Sequence, residues 1–248
     1  MTRDHHAASV SSPLDLSTIQ ALTFDCYGTL IDWEAGILQA IRPVLAAHGK
    51  RVEDREILEL FARLESQVQS EGYQLYRNVL MEVMERVGRH YGLSLIEREL
   101  QRLPDSVARW PEFADAPEAL DALARRFPLV ILSNIDDELF EQTRVKLERD
   151  AFTFRRVVTA EYCRSYKPHP RHFKVGLALL DLDPSQVLHV AESVYHDLPV
   201  AKSLGMRTCW VNRRGSRGYG ASRSDVPRIE PDLTTTDLAQ LARLAGVE

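Results

Sequence analysis

The sequence of 248 residues has only three cysteines and no long run of apolar residues. Cys26, Cys163 and Cys209 cannot pair into a closed set of disulfides, so a reducing cytoplasm is the expected setting. No stretch approaches the ~20 apolar residues of a membrane span, and the first residues lack the apolar segment of a signal peptide. A net charge of −5 offers no basic surface for nucleic acid. We therefore expect a globular protein whose partner is a small molecule, with neither nucleic acid nor membrane involved.

Four apolar runs predict strands that are buried on both faces, at residues 21–26, 128–134, 186–193 and 207–212. Residues 155–161 form a weaker fifth candidate, and helical patterns lie between these runs. One such helix begins after Asp115, the expected N-cap. The alternation of strand and helix predicts an α/β fold with a Rossmann-like, doubly wound parallel sheet.

Residues 33–112 interrupt this alternation, because apolar residues recur there at helical spacing and no strand is evident. We expect three helices, the third over residues 95–103, that form a cap over the carboxyl edge of the sheet. Residues 17–32 and 113–248 then form the catalytic core, and residues 1–16 form a disordered tail. The Gly/Ser/Arg-rich segment 212–224 is expected to be a mobile loop, with Arg213 in solvent.

Polar residues follow the predicted strands where the chain leaves the sheet. The carboxyl ends of parallel strands lie along one edge, so these residues are expected to converge there. A charge at the end of a buried strand needs compensation, and Lys167 can hold Asp25 ionised and therefore nucleophilic. The residues of this set are Asp25, Thr29, Ser133, Asn134, Lys167, Glu192 and Asp197.

The segments "FDCYGTLID", "LSN", "YKPHP" and "HVAESVYHD" resemble, in order, the four motifs of the haloacid dehalogenase superfamily. The resemblance implies that Asp25 attacks the substrate and forms an ester that water then hydrolyses, with Lys167 and Asp197 as the other catalytic residues. It also implies that a cap arginine receives the leaving group. The expected contacts of a small anionic substrate are Tyr27, Gly28, Thr29, Ser133, Asn134, Arg63 and Arg77.

Two positions distinguish the branches of the superfamily. Tyr27 stands where the phosphatases have a second Asp that protonates the leaving oxygen, and "D-x-Y-G-T" is similar to the 2-haloacid dehalogenase pattern. Glu192 instead resembles the acidic group with which Asp25 and Asp197 would bind Mg²⁺ in a phosphatase. We expect dehalogenation of a small 2-haloacid with no required cofactor, and Glu192 paired with Lys167.

Two alternatives stay open at this point. The first is a Mg²⁺-dependent phosphatase of a small phosphorylated metabolite, and the second is a catalytically silent binding protein. A zinc site is not expected, because the histidines lack ligand spacing on one face. A homodimer is possible, but no feature of the sequence tests it. The histidines concerned are His169, His172, His189 and His196.

Overall fold

The computed structural model describes residues 14–213 and 229–247. Most of the predicted N-terminal tail and most of the predicted loop 212–224 lie outside the described residues. Each helix within the described ranges is too short or too polar to cross a bilayer.

Within the described residues, six strands form one parallel sheet in the order β3-β2-β1-β4-β5-β6. The predicted α/β fold with a doubly wound sheet is confirmed. The chain starts at the centre, builds outward through β2 and β3, and then crosses to the other side of β1. A ligand crevice is expected at this switch point, beyond the carboxyl end of β1. The strands are β1 (Ala21–Phe24), β2 (Leu129–Ser133), β3 (Arg156–Thr159), β4 (Val187–Ala191), β5 (Arg207–Val211) and β6 (Leu233–Thr235).

Residues 33–112, all of them described, contain helices and no strand. The helices α2 and α3 bury the apolar stripes that the sequence predicts, but α4 is much shorter than the predicted third helix. Ile96 is 55% exposed there, so its side chain gives a longer helix little burial. These helices are α1 (Trp33–Ala47), α2 (Asp54–Ser70), α3 (Tyr76–His90) and α4 (Glu97–Leu100), followed by a 3₁₀ helix at Pro104–Arg109.

Six further helices flank the sheet in the described part of the chain. One buried apolar cluster runs from the sheet into the helices of residues 33–112. The domain boundaries given above stay a prediction. The flanking helices are α5 (Ala116–Ala124), α6 (Asp137–Glu148), α7 (Ala160–Cys163), α8 (Arg171–Leu180), α9 (Leu198–Ser203) and α10 (Leu238–Leu244).

Polar contacts join the helical segment to the rest of the fold. The carboxylate of Asp136, which follows β2, accepts hydrogen bonds from the backbone amides of Tyr76 and Arg77, both at 2.7 Å. The first amides of a helix have no partner within the helix, and here Asp136 supplies an acceptor for two of them at the start of α3. The two connecting segments also pair with each other through a bridge between Ile31 and Glu112. These contacts place the helices over the carboxyl end of β1.

Candidate active site

Asp25 leaves the end of β1 and enters a tight turn. The carbonyl of Cys26 accepts hydrogen bonds from the amides of Thr29, Leu30 and Ile31, which folds the chain back at once. Gly28 has φ +103°, a backbone conformation that side chains disfavour. The Gly28 amide donates to the Ile31 carbonyl at 2.8 Å. The turn itself therefore uses this donor, and contact between Gly28 and a substrate stays a prediction.

Lys167 lies at the centre of the site and is only 2% exposed. Its ammonium donates to Asp25 Oδ1 at 2.8 Å, to Asp197 Oδ1 at 2.6 Å and to the Leu132 carbonyl at 2.8 Å. An ammonium has three donors, and these acceptors account for all of them. The structure thus brings together the three residues predicted as catalytic.

The predicted pairing of Lys167 with Glu192 is wrong. The ion-pair partners of Lys167 are Asp25 and Asp197, and Asp197 takes the position expected for Glu192. The reason lies in the segment between Glu192 and Asp197. It folds back through the Ser193 hydroxyl, which accepts from the His196 amide at 3.0 Å, and this brings Asp197 underneath the site.

Asp25 and Asp197 share one lysine, and their pKa values are shifted in opposite directions. Burial raises the pKa of Asp25, and the charge of Lys167 only partly opposes this while Asp197 adds to it. Burial alone would also raise the pKa of Asp197, but Lys167 and His189 outweigh it and hold that pKa well below its ordinary value. Lys167 therefore does not serve Asp25 alone, because its ammonium contacts Asp25 and Asp197 together.

Thr29 and Asn134 hold the catalytic groups in place. The Thr29 hydroxyl donates to Asp25 Oδ2 at 2.8 Å and accepts from the Glu192 amide at 2.9 Å. The Asn134 side chain accepts from the Lys167 amide at 2.7 Å and donates to the Lys167 carbonyl at 3.1 Å. Both were predicted to bind substrate, and both are engaged here with Asp25 or Lys167. Asn134 also lines the cavity.

A cavity of about 400 Å³ opens above Asp25 and Lys167. Ser133 lines this cavity, and its hydroxyl is buried without a hydrogen-bond partner among the described residues, so its hydrogen-bonding capacity is unused. Arg63 lines the cavity, as predicted for a cap arginine. Arg77 does not: its guanidinium pairs with Asp105 at 2.9 Å on the surface. The prediction that Arg77 contacts substrate is therefore not supported by its position.

Tyr27 lines the cavity beside the nucleophile. Its hydroxyl is 3.0 Å from the hydroxyl of Thr143, and its ring packs edge-on against Trp110. Burial raises the pKa of Tyr27 well above the ordinary value of a phenol. Tyr27 is therefore unsuited to giving a proton to a leaving group at neutral pH.

A second ionisable pair lies in the cavity wall. The Tyr76 hydroxyl donates to Glu65 Oε1 at 2.5 Å, and both side chains line the cavity. Burial raises the pKa of Glu65 to about 7, although the bond from Tyr76 opposes this. From the sequence, Tyr76 was expected either to line the pocket or, with more weight, to pack the helical segment against the core, and nothing in the sequence indicated Glu65.

The carboxylates do not fit a Mg²⁺ site as they are arranged here. In the described residues, no group of three His, Cys, Asp or Glu side chains is placed to hold a metal ion. Each oxygen of Asp25 already accepts a hydrogen bond, as does Oδ1 of Asp197, whereas Asp197 Oδ2 is buried without a partner. Glu192 also lines the cavity, and burial, followed by the charges of Asp25 and Asp197, raises its pKa to about 7.

Arg213 has a structural role that the sequence did not predict. Its side chain is 8% exposed, donates to Asp115 Oδ1 at 2.6 Å and to the Thr29 carbonyl at 2.7 Å, and lies over the ring of Phe113. The expectation that Arg213 is in solvent is wrong. Asp115 likewise does not cap α5 with its side chain, because its oxygens accept from Arg213 and from the Leu238 amide.

His189 completes the site from below, and sequence reasoning assigned it no role. Its Nε2 is 3.0 Å from Asp197 Oδ1, and its Nδ1 is 2.8 Å from the hydroxyl of Thr23. Strand alternation was the available signal, because Thr23 and Asp25 share one face of β1 and His189 is the register partner of Thr23 on β4.

Comparison with known proteins gives consistent results. The model of a family described as haloacid dehalogenase-like hydrolase matches residues 19–205. An (S)-2-haloacid dehalogenase of Pseudomonas fluorescens is 26% identical over 209 residues, covering 80% of this chain and 87% of that protein. The crystal structure of a defluorinating L-2-haloacid dehalogenase has the same fold, with a TM-score of 0.78 at 21% identity over 95% of this chain and 100% of the other. A glyceraldehyde 3-phosphate phosphatase of Pyrococcus furiosus is 35% identical over 99 residues, 39% of this chain and 38% of that protein.

Proposed function

The chain belongs to the haloacid dehalogenase-like hydrolases, and from this premise we propose that it hydrolyses the carbon–halogen bond of a small 2-haloacid. The choice between halide release and phosphate-ester cleavage rests on Tyr27. An alkoxide that leaves from a phosphate ester needs a proton, and Tyr27 is a poor donor. A halide ion leaves without one. The (S)-2-haloacid dehalogenase relative supports the same choice.

In the proposed reaction, an oxygen of Asp25 attacks C2 of the substrate. The new C–O bond forms as the carbon–halogen bond breaks, and the halide leaves with the bonding electrons. Water then adds to the ester carbonyl of Asp25, the 2-hydroxyacid is released, and the water proton is given up to solvent. The net change is replacement of halogen by hydroxyl, with release of halide and one proton.

The remaining residues position these groups. Thr29 and Lys167 hold the two oxygens of Asp25, which fixes the direction of attack. We assign binding of the substrate carboxylate to the hydroxyl of Ser133, which has no partner among the described residues, and to the positive charge of Arg63 in the cavity wall. Asn134 fixes the backbone of Lys167 and therefore the position of its ammonium.

A Mg²⁺-dependent phosphatase is the second candidate, and the phosphatase relative favours it. Halide release from 2-chloropropionate and phosphate release from p-nitrophenyl phosphate, each with and without EDTA, separate the two activities. We expect halide release that survives EDTA. EDTA-sensitive phosphate release without halide release would reverse the assignment.

A labelling experiment tests the covalent step. In a single turnover with enzyme in excess in H₂¹⁸O, the first product should carry the unlabelled oxygen of Asp25. Mass spectrometry should then find ¹⁸O in the peptide that contains Asp25. Label in the product and none in the peptide would mean that water attacks C2 directly, with Asp25 acting only as a base.

A further inference from the structure

The side of Asp197 that faces the protein interior is occupied by a buried histidine. His189 lies in the middle of β4, is 0% exposed and is bracketed by two polar side chains. Its Nε2 is 3.0 Å from Asp197 Oδ1 and its Nδ1 is 2.8 Å from Thr23 Oγ1. Both nitrogens therefore have a partner inside the sheet, although nothing about catalysis at Asp25 requires a histidine at this position.

The chemistry of the partners assigns the proton positions. An ionised carboxylate only accepts, so Nε2 of His189 carries the hydrogen in its bond to Asp197. In a neutral ring Nδ1 is then the acceptor, and the Thr23 hydroxyl is its donor. In this assignment each ring nitrogen of His189 has one partner, Nε2 as the donor to Asp197 and Nδ1 as the acceptor from Thr23.

The bond from His189 limits how the Asp197 carboxylate can turn. Oδ1 of Asp197 accepts from His189 on one side and from Lys167 at 2.6 Å on the other, while Oδ2 is buried without a partner in the described chain. Asp197 lies before α9, and its side chain makes no capping bond there. Apart from Lys167 itself, His189 is thus the group in the described structure that orients the carboxylate.

We propose that His189, held by Thr23, is a positioning residue that directs Asp197 Oδ1 at Lys167 and so places the ammonium between Asp197 and Asp25. The proposal rests on the proposed function, in which Lys167 must present its charge to Asp25. If Asp197 turned away, Lys167 would lose one of its three acceptors, and its position relative to Asp25 would change. Misplacement of a catalytic group by about 1 Å can cost about 100-fold in rate.

Three substitutions of His189 separate positioning from packing. In His189→Gln the amide nitrogen lies near the former Nε2 and can still donate to Asp197. In His189→Asn the nitrogen lies near the former Nδ1 and cannot reach, and His189→Leu has no donor. We expect kcat for halide release from 2-chloropropionate to fall roughly 10- to 100-fold in the Asn and Leu variants. The Gln variant should recover most of it, with KM within about twofold of wild type throughout.

The matched control is His90→Gln, the same change at an exposed position of α3, which should behave as wild type. Near-UV circular dichroism checks that each variant is folded. Equal kcat losses in the Gln, Asn and Leu variants would overturn the proposal and leave His189 as a packing residue. Wild-type kcat in all three would overturn it as well.

A spectroscopic measurement tests the same assignment without any substrate. In a ¹⁵N–¹H long-range correlation spectrum of histidine, the signals that disappear in His189→Gln identify His189. They should show the tautomer with hydrogen on Nε2, and Thr23→Val should shift the Nδ1 resonance most. The opposite tautomer would overturn the inference. If the wild-type enzyme released no halide, the proposed function would fail, and this spectrum would still test the hydrogen bonds assigned to His189.

Discussion

Replacement of Lys167 by methionine tests the electrostatic account of the site most directly. Methionine fills similar space but has no charge and no donor. The substitution leaves Asp25 Oδ1, Asp197 Oδ1 and the Leu132 carbonyl without the group that joins them. Both carboxylates are almost fully buried, at 7% and 0% exposure, so water cannot readily replace the ammonium.

The expected loss of stability is large. Removal of one partner from a buried ion pair costs roughly 3–5 kcal/mol, because the remaining charge is left uncompensated. A total stability of about 5–15 kcal/mol is usual for a protein, so Lys167→Met should remain folded but with a much lower free energy of unfolding. In an Asp197→Asn background the same substitution should lower the free energy of unfolding by a smaller amount. The difference, which is the coupling energy between Lys167 and Asp197, should be about 2–3 kcal/mol.

The loss should also depend on pH, in a direction that follows from linkage. In the wild-type protein the pKa of Asp197 is held low, so its stabilising contribution is present above the ordinary pKa of an aspartate. Without Lys167 the pKa values of Asp25 and Asp197 should rise, and the variant should lose stability as pH rises through those values. The stability deficit of Lys167→Met should therefore be larger at pH 8 than at pH 5.

Urea unfolding followed by tryptophan fluorescence measures these differences in wild type, both single variants and the double variant. Lys174→Met, at an exposed position of α8, is the matched control and should change stability little. Additive effects of the Lys167 and Asp197 substitutions, together with a deficit that does not vary with pH, would refute the view that Lys167 compensates both carboxylates.

Three further predictions follow from individual side chains. Asp25→Asn should abolish halide release, because an amide is not a nucleophile, and residual activity above a few per cent would contradict this. The variant should unfold at a urea concentration at least as high as wild type, because it lacks the buried carboxylate whose pKa is raised. Arg63→Ala should raise KM, because Arg63 lines the cavity, whereas Arg77→Ala should leave KM unchanged. Loss of the surface pair between Arg77 and Asp105 should lower the free energy of unfolding in urea by at most about 1 kcal/mol. An equal change of KM in the two variants would contradict this. Since burial raises the pKa of Glu65 from 4.5 to about 7, wild type should lose up to about 3 kcal/mol of stability as pH rises from 4.5 through 7. The free energy of unfolding of Glu65→Gln should not show this loss, whereas the control Glu59→Gln, at an exposed position, should still show it. Parallel curves of unfolding free energy against pH for the two variants would be inconsistent with burial of Glu65.

The strands were predictable because each is a short, nearly continuous apolar run. The run at 128–134 corresponds to β2, Leu129–Ser133, and the run at 207–212 to β5, Arg207–Val211. The strand β6 was not predicted, because its three residues include two that are not fully buried and two threonines. A strand this short carries too little hydrophobic pattern to distinguish it from a loop.

The sequence was enough to predict which edge of the sheet holds the site, but not which side chains contact each other there. The rule that strand ends converge correctly placed Asp25, Lys167 and Asp197 together. It could not decide which acid meets Lys167, because that depends on how the five residues after Glu192 fold. Arg213 illustrates the same limit: its environment is set by Asp115 and Phe113, which are about a hundred positions away in the chain.

The division of charge between Asp25 and Asp197 leads to a prediction about the pH dependence of the proposed reaction. Two acids that share one lysine must titrate apart, and here His189 favours ionisation of Asp197. Asp25 is left with a raised pKa, the first cause of which is burial. A more basic carboxylate is a better nucleophile once it is ionised, but it is ionised only above its raised pKa.

The value of kcat/KM for halide release should therefore fall as pH drops through the raised pKa of Asp25, above the ordinary value of 3.8. Glu192, whose pKa is raised to about 7, also lines the cavity, so its titration has to be separated from that of Asp25. Profiles from pH 4 to 8 for wild type and Glu192→Gln achieve this, because the substitution removes the Glu192 titration and retains the limb that belongs to Asp25. An acidic limb at or below the ordinary aspartate pKa in both proteins would mean that Lys167 stabilises ionised Asp25 more than burial opposes it, and the raised pKa of Asp25 would be refuted.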